Sequence, residues 1–398
     1  MSWTVNRFSR LVRVNEGLVD PTDEVQAEKL LIAPNHIQRG TGRLLTRETA
    51  VEQGASSGKY EVRAGQVVYS KIRPSLVKAT MAPKDCLCSA DMYALQPLPG
   101  LGSRFLLYVL LARPFTDFVV DASARVAMPK VNRESLAEFP VAHPGIEEQQ
   151  LIADYLDRET ARIDELIAEQ EVLTVSLAER RQALITLAVS RDSVTTLPLR
   201  RDIRYLTSGS RGWAQFDADE GARFIRIADL PRASIRLKST DPKFVDVPRG
   251  VEGSRTNLLV GDLVFSITAY LGSVAVVSRR DAGAYVSQHV ALCRLAGAHW
   301  DPAFVAWFCL GDGGQRQLNE QAYGGTKQQL ALDDIRELLV PLPSLGEQRR
   351  IVAQLDAQTS KLDGLMAECR ELIALLKERR AALITAAVTG KIGLRQGA

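Results

Sequence analysis

The chain has 398 residues, with 50 Lys and Arg, 47 Asp and Glu and a formal net charge of +3. This length corresponds to two or three domains of about 100–200 residues, and 46% hydrophobic residues are typical of a globular protein rather than a disordered or collagen-like one. No apolar run reaches the roughly 18 residues of a membrane span, and no apolar signal core follows Met1. We therefore expect a cytoplasmic protein with no membrane partner. Five scattered cysteines argue against a disulfide framework and against a four-ligand metal site.

The chain repeats itself once, with a period of 199 residues. Segment 148–189 aligns without a gap on segment 347–388, and the pairs Asp164/Asp363 and Arg181/Arg380 are identical. Upstream matches are looser but keep their order, such as 31–37 with 224–230 and 64–70 with 260–266. This duplication predicts a variable domain followed by a long helix, both occurring twice.

Each repeated segment is predicted to be one long helix. At 1.5 Å per residue, about 40 residues span roughly 60 Å, so the helix needs a partner along its length, and an antiparallel pair with its own duplicate is the simplest solution. Ser344 with Glu347 indicates a capping box, and Gly390 a left-handed stop. The residues predicted to pack between the helices follow a heptad pattern: Ile152, Leu156, Ile163, Leu166, Leu173, Leu177 and Leu184 in the first, and Ile351, Leu355, Leu362, Leu365, Leu372, Leu376 and Leu383 in the second.

The variable domains are predicted to be α+β. Short alternating runs at 66–70, 93–95, 263–267 and 274–277 indicate strands, and the apolar segments 104–112 and 303–310 indicate one buried helix in each domain. The predicted organisation is a first variable domain at 1–143, a long helix at 144–191, a second variable domain at 192–343, a long helix at 344–391 and a C-terminal tail at 392–398.

Catalytic motifs are weak in this sequence. Gly324 to Lys327 lacks the spacing of a phosphate-binding loop. Asp229, Asp241 and Lys243 resemble the acidic pair and lysine of a magnesium nuclease, but Pro242 separates two of them and the first domain has no counterpart. No glycine-rich motif for S-adenosylmethionine is found. We predict no catalytic residue and no metal site.

Three segments carry a specific resemblance. Residues 339–355, the Gly-Thr-Lys at 325–327 and residues 62–74 are similar to the specificity subunit of type I restriction-modification enzymes. The resemblance implies two target recognition domains separated by two long antiparallel coiled-coil helices, with a pseudo-twofold internal repeat. It implies that each domain reads one half of a bipartite, asymmetric double-stranded DNA site, while the helices set the spacer and dock methyltransferase subunits.

The resemblance also implies a non-catalytic chain that binds no cofactor. Two modification subunits would carry S-adenosylmethionine, and two restriction subunits would use ATP and Mg. The first domain has Ala127 to Lys130 where the second has Gly-Gly-Thr-Lys, so the two loops differ.

Polar loop residues are the candidates for DNA contact, because Arg and Lys favour guanine edges, Gln favours adenine, and cations neutralise phosphates. The alternative is a coiled-coil scaffold whose paired domains bind protein, and salt-dependent DNA binding separates the two hypotheses. The DNA-binding candidates are Lys59, Arg63, Ser70, Lys71, Arg73, Lys130, Ser266, Thr268, Tyr270, Gln288, Thr326 and Lys327.

Overall fold

The computed structural model divides into two compact units. It describes residues 3–14, 17–123, 129–190, 195–247, 251–269, 271–320 and 329–393. Unit 1 comprises Met1–Glu171 and Arg370–Ala398, and unit 2 comprises Val172–Cys369. The boundary crosses both long helices, so each unit contains one variable domain and a part of each helix.

The two long helices are α6 (Ile146–Val189) and α11 (Leu345–Val388), and the prediction of two long helices is confirmed. In chain order the elements are β1 (Thr4–Arg7), α1 (Phe8–Leu11), β2 (Val12–Val14), α2 (Glu24–Ala27), β3 (Leu31–Ile32), β4 (Tyr60–Val62), β5 (Val67–Ser70), β6 (Ala79–Met81), β7 (Cys86–Cys88), β8 (Met92–Pro97), α3 (Ser103–Leu111), α4 (Arg113–Ser123), α5 (Arg133–Ala137), β9 (Pro140–His143) and α6 (Ile146–Val189). They continue with β10 (Thr196–Pro198), β11 (Ile203–Ser208), β12 (Asp217–Ala218), β13 (Ala222–Ile225), β14 (Phe244–Val245), α7 (Val251–Thr256), β15 (Leu263–Ser266), β16 (Val274–Val276), β17 (Tyr285–Val286), β18 (Val290–Leu295), α8 (Pro302–Leu310), α9 (Asp312–Glu320), α10 (Leu332–Arg336), β19 (Leu339–Pro341) and α11 (Leu345–Val388).

Both units have the same four-stranded antiparallel sheet, and each has a second sheet, with three strands in unit 1 and four in unit 2. Unit 1 contains an antiparallel sheet in the order β2-β8-β5-β6, and unit 2 contains its counterpart, β11-β18-β15-β16. The second sheet is β3-β7-β4 in unit 1 and β12-β14-β13-β17 in unit 2, and in each of these one pair is parallel, β3 with β7 and β13 with β17. The predicted α+β class is confirmed.

One hydrophobic core in each unit joins the variable domain to helix residues. In unit 1, Phe105 of α3 packs in the same cluster as Leu156 of α6 and Ile384 of α11. In unit 2, Phe304 of α8 packs with Ile185 of α6 and Leu355 of α11. Each such side chain contributes about 1.5–3 kcal/mol when fully buried. Helices α3 and α8 confirm the prediction of one buried helix per domain.

Buried glutamines anchor each domain to the helix that follows it. Gln149 accepts a hydrogen bond from the Gly102 amide at 2.8 Å and donates to the carbonyls of Gly100 and Pro144. Gln348 makes the same three bonds with Asp301, His299 and Pro343, each 199 residues later. The repeat therefore preserves tertiary contacts as well as sequence.

Threonines anchor each domain to the C-terminal end of the other helix. The Thr385 hydroxyl of α11 accepts from the Arg113 amide in unit 1, and the Thr186 hydroxyl of α6 accepts from the Asp312 amide in unit 2, both at 3.1 Å. Gly390, at φ +72°, follows α11, and the Lys391 amide there donates to the Ala386 carbonyl. The Glu347 amide at the start of α11 donates to the Ser344 hydroxyl.

The helices run antiparallel within each unit, and ion pairs connect them at equivalent positions of the repeat. In unit 1, Arg380 of α11 pairs with Asp164 of α6 at 2.8 Å, and Lys377 lies 3.8 Å from Glu171. In unit 2, Arg181 of α6 pairs with Asp363 of α11, also at 2.8 Å. Both Arg–Asp pairs use the same two positions of the repeat. The arginine lies on α11 in unit 1 and on α6 in unit 2.

Part of the predicted packing stripe is wrong. Leu166, Leu173, Leu365 and Leu372 are 40–46% exposed. The inward position falls one residue after Leu166 and Leu365, at the buried Ile167 in α6 and Met366 in α11. The same heptad position is also buried elsewhere in the two helices, at Thr160, Arg181, Thr359 and Arg380. The two arginines can occupy inward positions because carboxylates on the facing helix compensate their charge.

No helix among the described residues is long and apolar enough to cross a membrane.

Candidate nucleic-acid interface

Both units contain the same strained turn after the third strand of the antiparallel sheet. In unit 1, β5 ends at Ser70, whose buried hydroxyl donates to the Ile72 carbonyl at 3.1 Å, and Arg73 has φ +49°. In unit 2, β15 ends at Ser266, whose hydroxyl donates to the Thr268 carbonyl at 3.0 Å, and Ala269 has φ +61°. Non-glycine residues at positive φ are uncommon and concentrate at functional sites. We name residues 70–74 the unit 1 turn and residues 266–269 the unit 2 turn.

Backbone hydrogen bonds attach the unit 1 turn to two other segments. The Arg73 amide donates to the Pro129 carbonyl at 2.9 Å, and the Val131 amide donates to the Lys71 carbonyl at 2.8 Å. The Lys71 amide donates to the Asp91 carbonyl at 3.0 Å. The turn, the segment before α5 and the start of β8 thus form one surface.

The unit 2 turn is attached in the same way. The Leu330 amide donates to the Ile267 carbonyl at 3.0 Å, and Thr268 forms a β-bridge with Gln329. The Ile267 amide donates to the His289 carbonyl at 3.1 Å. The backbone scaffold of the site is therefore duplicated, although its side chains are not.

Positive side chains cluster on the scaffold of unit 1. The Lys71 Nζ lies 5.4 Å from the Tyr93 ring centroid, and the Arg133 guanidinium lies 5.9 Å from the same centroid. The Tyr93 hydroxyl donates to the Val131 carbonyl, which holds the ring in place. Partial burial lowers the pKa of Lys71, and the neighbouring Lys130 charge lowers it further. Like charges held together in this way create a field that attracts anions.

Neutral side chains occupy the equivalent positions of unit 2. Ile267, Gln329 and Leu332 stand where unit 1 has Lys71, Lys130 and Arg133. Gln288 and His289 are exposed beside this turn, with 3.0 Å between Nε2 of the glutamine and Nε2 of the imidazole. Amide and imidazole groups both donate and accept hydrogen bonds, which suits them to base edges.

Several predicted contact residues lie elsewhere. Lys59 is buried, its Nζ donates to the Ser57 hydroxyl, and burial lowers its pKa, so its prediction as a DNA contact is wrong. Arg63 is exposed but precedes β5, whose four residues span about 13 Å, and so lies at the opposite end of the strand from the turn.

The two predicted serines build the site instead of lining its surface. Ser70 and Ser266 are buried, and their hydroxyls bond within the turns. Tyr270, Thr326 and Lys327 lie outside the described residues. The structure brings Lys71, Arg73 and Lys130 together in unit 1, and Thr268 and Gln288 lie at the equivalent site of unit 2.

Sequence reasoning missed Arg133 and Gln329. Gln329 is the 199-residue equivalent of Lys130, and Arg133 follows Lys130 by three residues. Aligning the two repeats through this loop would have found Gln329, which pairs with Lys130. Arg133 pairs with Leu332, so only its packing on the Tyr93 ring identifies it.

The carboxylates of the nuclease hypothesis are bound to an arginine. Asp229 accepts from the Arg226 amide at 2.7 Å and from its Nε at 3.2 Å, and Asp241 lies 3.7 Å from the same guanidinium. Asp229 thereby caps a short 3₁₀ helix, as His36 does at the equivalent position of unit 1 by bonding the Ala33 amide. Among the described residues, no group of three or more metal-type side chains is arranged around a common point.

Comparisons with known proteins agree with this architecture. A family model described as the type I restriction modification DNA specificity domain matches residues 29–173 and 250–373, together more than half of the chain. The chain is 35% identical over 184 residues to the type I restriction enzyme EcoDI specificity subunit of Escherichia coli, and the match covers 44% of this chain and 40% of that relative. It is 26% identical over 176 residues to the EcoBI specificity subunit of the same organism, covering 44% and 34%.

Solved structures share the fold over nearly the whole chain. A chain from the work described as "Structural basis underlying complex assembly and conformational transition of the type I R-M system" superposes with a TM-score of 0.80 at 18% identity, covering 98% of both chains. The HsdS subunit from Thermoanaerobacter tengcongensis superposes with a TM-score of 0.56 at 18% identity, covering 98% of this chain and 97% of that one. On the match of the family model, with its two separate regions, the chain belongs to the type I restriction-modification DNA specificity family.

Proposed function

We propose that this chain reads a bipartite, asymmetric DNA site, one half with each unit, as the specificity subunit of a type I restriction-modification complex. The observation that carries the proposal is the duplicated turn, in which one backbone scaffold presents different side chains in the two units. Two domains that bind different base sequences need a shared backbone scaffold with different side chains.

The side-chain chemistry supports two different half-sites. In unit 1, Arg73, Lys71 and Lys130 offer cationic donors for guanine edges and phosphates. In unit 2, Gln288 and Gln329 offer amides, which pair with adenine in the major groove. An asymmetric pair of surfaces favours an asymmetric site.

The helices are proposed to set the spacer and to dock methyltransferase subunits. Each has 44 residues, or roughly 66 Å at 1.5 Å per residue, compared with about 34 Å for one turn of B-DNA. Leu166, Leu173, Leu365 and Leu372 are exposed on them. Exposed leucines on long helices are the surface that partner helices would cover.

The chain is proposed to have no catalytic role of its own and to bind no cofactor. Two modification subunits would supply S-adenosylmethionine chemistry, and two restriction subunits would supply ATP- and Mg-dependent activity. Modification of a bipartite site would then require the assembled complex.

The test is a domain exchange in the assembled methyltransferase. Residues 1–143 are replaced with the corresponding domain of a relative, and the methylated adenines are mapped on genomic DNA. We expect one half of the site to change and the other to stay, together with DNA affinity that falls as salt rises. A change in both halves would contradict the modular assignment, and salt-independent or absent DNA binding would favour the protein-binding scaffold.

A further inference from the structure

Arg380 of α11 makes more contacts than its duplicate Arg181. It is buried, and its Nε and Nη2 donate to the two carboxylate oxygens of Asp164 at 2.8 and 3.3 Å. Its Nη1 also donates to the Gly40 carbonyl at 3.0 Å, and its Nη2 to the Thr41 carbonyl at 2.9 Å. One guanidinium therefore joins both long helices to a loop of the variable domain.

Backbone hydrogen bonds continue from this loop to the unit 1 turn. The Gly40 amide donates to the Val77 carbonyl at 3.0 Å, and the Val77 amide donates to the Pro74 carbonyl at 2.9 Å. The Leu76 amide donates to the Arg73 carbonyl, also at 2.9 Å. Residues 74–76 form a single 3₁₀ turn flanked by Arg73 and Val77, both at positive φ. This connection between Arg380 and Arg73 lies entirely within unit 1.

The loop that Arg380 holds contains two glycines in the left-handed region of backbone conformation. Gly40 and Gly42 have φ values of +69° and +81°, and Gly40 has open space on its Cβ side. The Thr80 hydroxyl donates to the Gly42 carbonyl at 2.8 Å. Because glycine populates many backbone conformations, the charged hydrogen bonds from Arg380 remove freedom that the loop would otherwise have.

The described residues of unit 2 do not repeat this connection. The hydrogen bonds of Arg181 within the described residues both go to Asp363, at 2.8 and 3.4 Å, and its guanidinium lies 5.9 Å from the Trp307 ring centroid. A cavity of about 700 Å³ lies beside it, lined by residues that include Ser234, Arg236, Trp307 and Lys361. The same ion pair is thus joined to a domain loop in unit 1 and faces an open cavity in unit 2.

We propose that Arg380 is a positioning residue for DNA reading by unit 1: through Gly40 and Val77 it couples the helix pair to Arg73. The inference rests on the proposed function. It implies that the base preference of the first half-site depends on how the helix pair holds Arg380. The second half-site has no equivalent dependence on Arg181.

The test compares Arg380→Lys with Arg181→Lys in the full chain assembled with its methyltransferase partner. Lysine keeps the charge facing Asp164 or Asp363 but cannot bind a carboxylate and two carbonyls with a planar fork. Methylation is measured on DNA libraries with one half-site randomised at a time. We expect Arg380→Lys to lower discrimination at the unit 1 half-site roughly 2- to 30-fold, the range of measured long-range couplings, with the other half-site unchanged. Arg181→Lys is expected to change neither.

A double-mutant cycle tests the route itself. Arg73→Ala and Arg380→Lys should be non-additive at the unit 1 half-site, because both act on the same turn. If Arg380→Lys does not fold, Asp164→Asn with Asp363→Asn as its control makes the same comparison by loosening the anchor of each arginine. Thermal unfolding of every variant separates a general loss of stability from a change of base preference.

The outcomes distinguish this inference from the proposed function. Equal effects at both half-sites, additive double mutants, or lowered stability with unaltered preference would overturn the role of Arg380. If Arg73→Ala changes the preference and Arg380→Lys does not, the turn reads DNA and this inference alone is wrong. If wild-type complex shows no preference at either half-site, the proposed function is wrong, and this inference with it.

Discussion

The two units share a scaffold and differ in the chemistry that it presents. Gln149 and Gln348 make the same three hydrogen bonds, and Ser70 and Ser266 build the same turn. Near the turns the identities diverge, with Lys71 in unit 1 and Ile267 in unit 2. Buried polar contacts therefore preserve the duplication, because their geometry tolerates few substitutions, while the side chains around the turn differ between the units.

Core truncation should affect both units equally, and it is the largest expected effect. Leu156→Ala and Leu355→Ala each remove a fully buried side chain at the same repeat position, so each should lower the free energy of unfolding by about 2–5 kcal/mol. Urea denaturation measures this loss. Leu166→Ala is the control, because this leucine is exposed and its loss should cost about 0.5 kcal/mol or less. Very different losses at 156 and 355 would break the equivalence of the two cores.

Turn substitutions should separate the units. Arg73→Ala should reduce discrimination at one base of the unit 1 half-site by about 1–3 kcal/mol if the guanidinium reads a base edge. Gln329→Ala should act in the same way at the other half-site. Competition binding with single-base variants of each half-site checks both. An effect of either substitution on the wrong half-site would contradict the assignment of the units.

The salt dependence of DNA binding should arise mainly from unit 1. If Lys130 contacts a phosphate, Lys130→Ala should weaken binding to all sequences and reduce the slope of log affinity against log salt by about 1. Gln329→Ala, the matched change in unit 2, should leave that slope unaltered because the side chain is neutral. Equal slopes for the two variants would show that the cluster does not meet the DNA backbone.

The smallest effect is expected at a buried hydroxyl that unit 2 lacks. The Tyr69 hydroxyl is buried and has no hydrogen-bond partner among the residues that the structure describes, and burial raises the pKa of this phenol. Unit 2 has Phe265 at the equivalent position, also buried. Tyr69→Phe should therefore be neutral or stabilising by about 1 kcal/mol or less, since an unsatisfied group is removed. A calorimetric loss of stability would mean that the hydroxyl is satisfied in solution.

The sequence alone determined the duplication, the two long helices and the α+β class. These features are local or repetitive: helix periodicity, alternation in strands and a constant 199-residue spacing can be recognised without knowing which segments meet. Gly390 marked the end of α11 for the same reason, since its backbone conformation is a local property.

Tertiary structure decided which helix positions face inward and which cations reach the surface. A heptad stripe chosen by hydrophobicity placed Leu166 and Leu365 inside, yet Arg181 and Arg380 are buried because acidic partners on the facing helix compensate them. Lys59 is buried in the folded chain, and Arg133 belongs to the positive cluster of unit 1 because its guanidinium packs on the Tyr93 ring. The bond from Arg380 to Gly40 spans 340 residues of chain. Local patterns contain no information about such contacts, because their energies depend on groups that only the folded chain brings together.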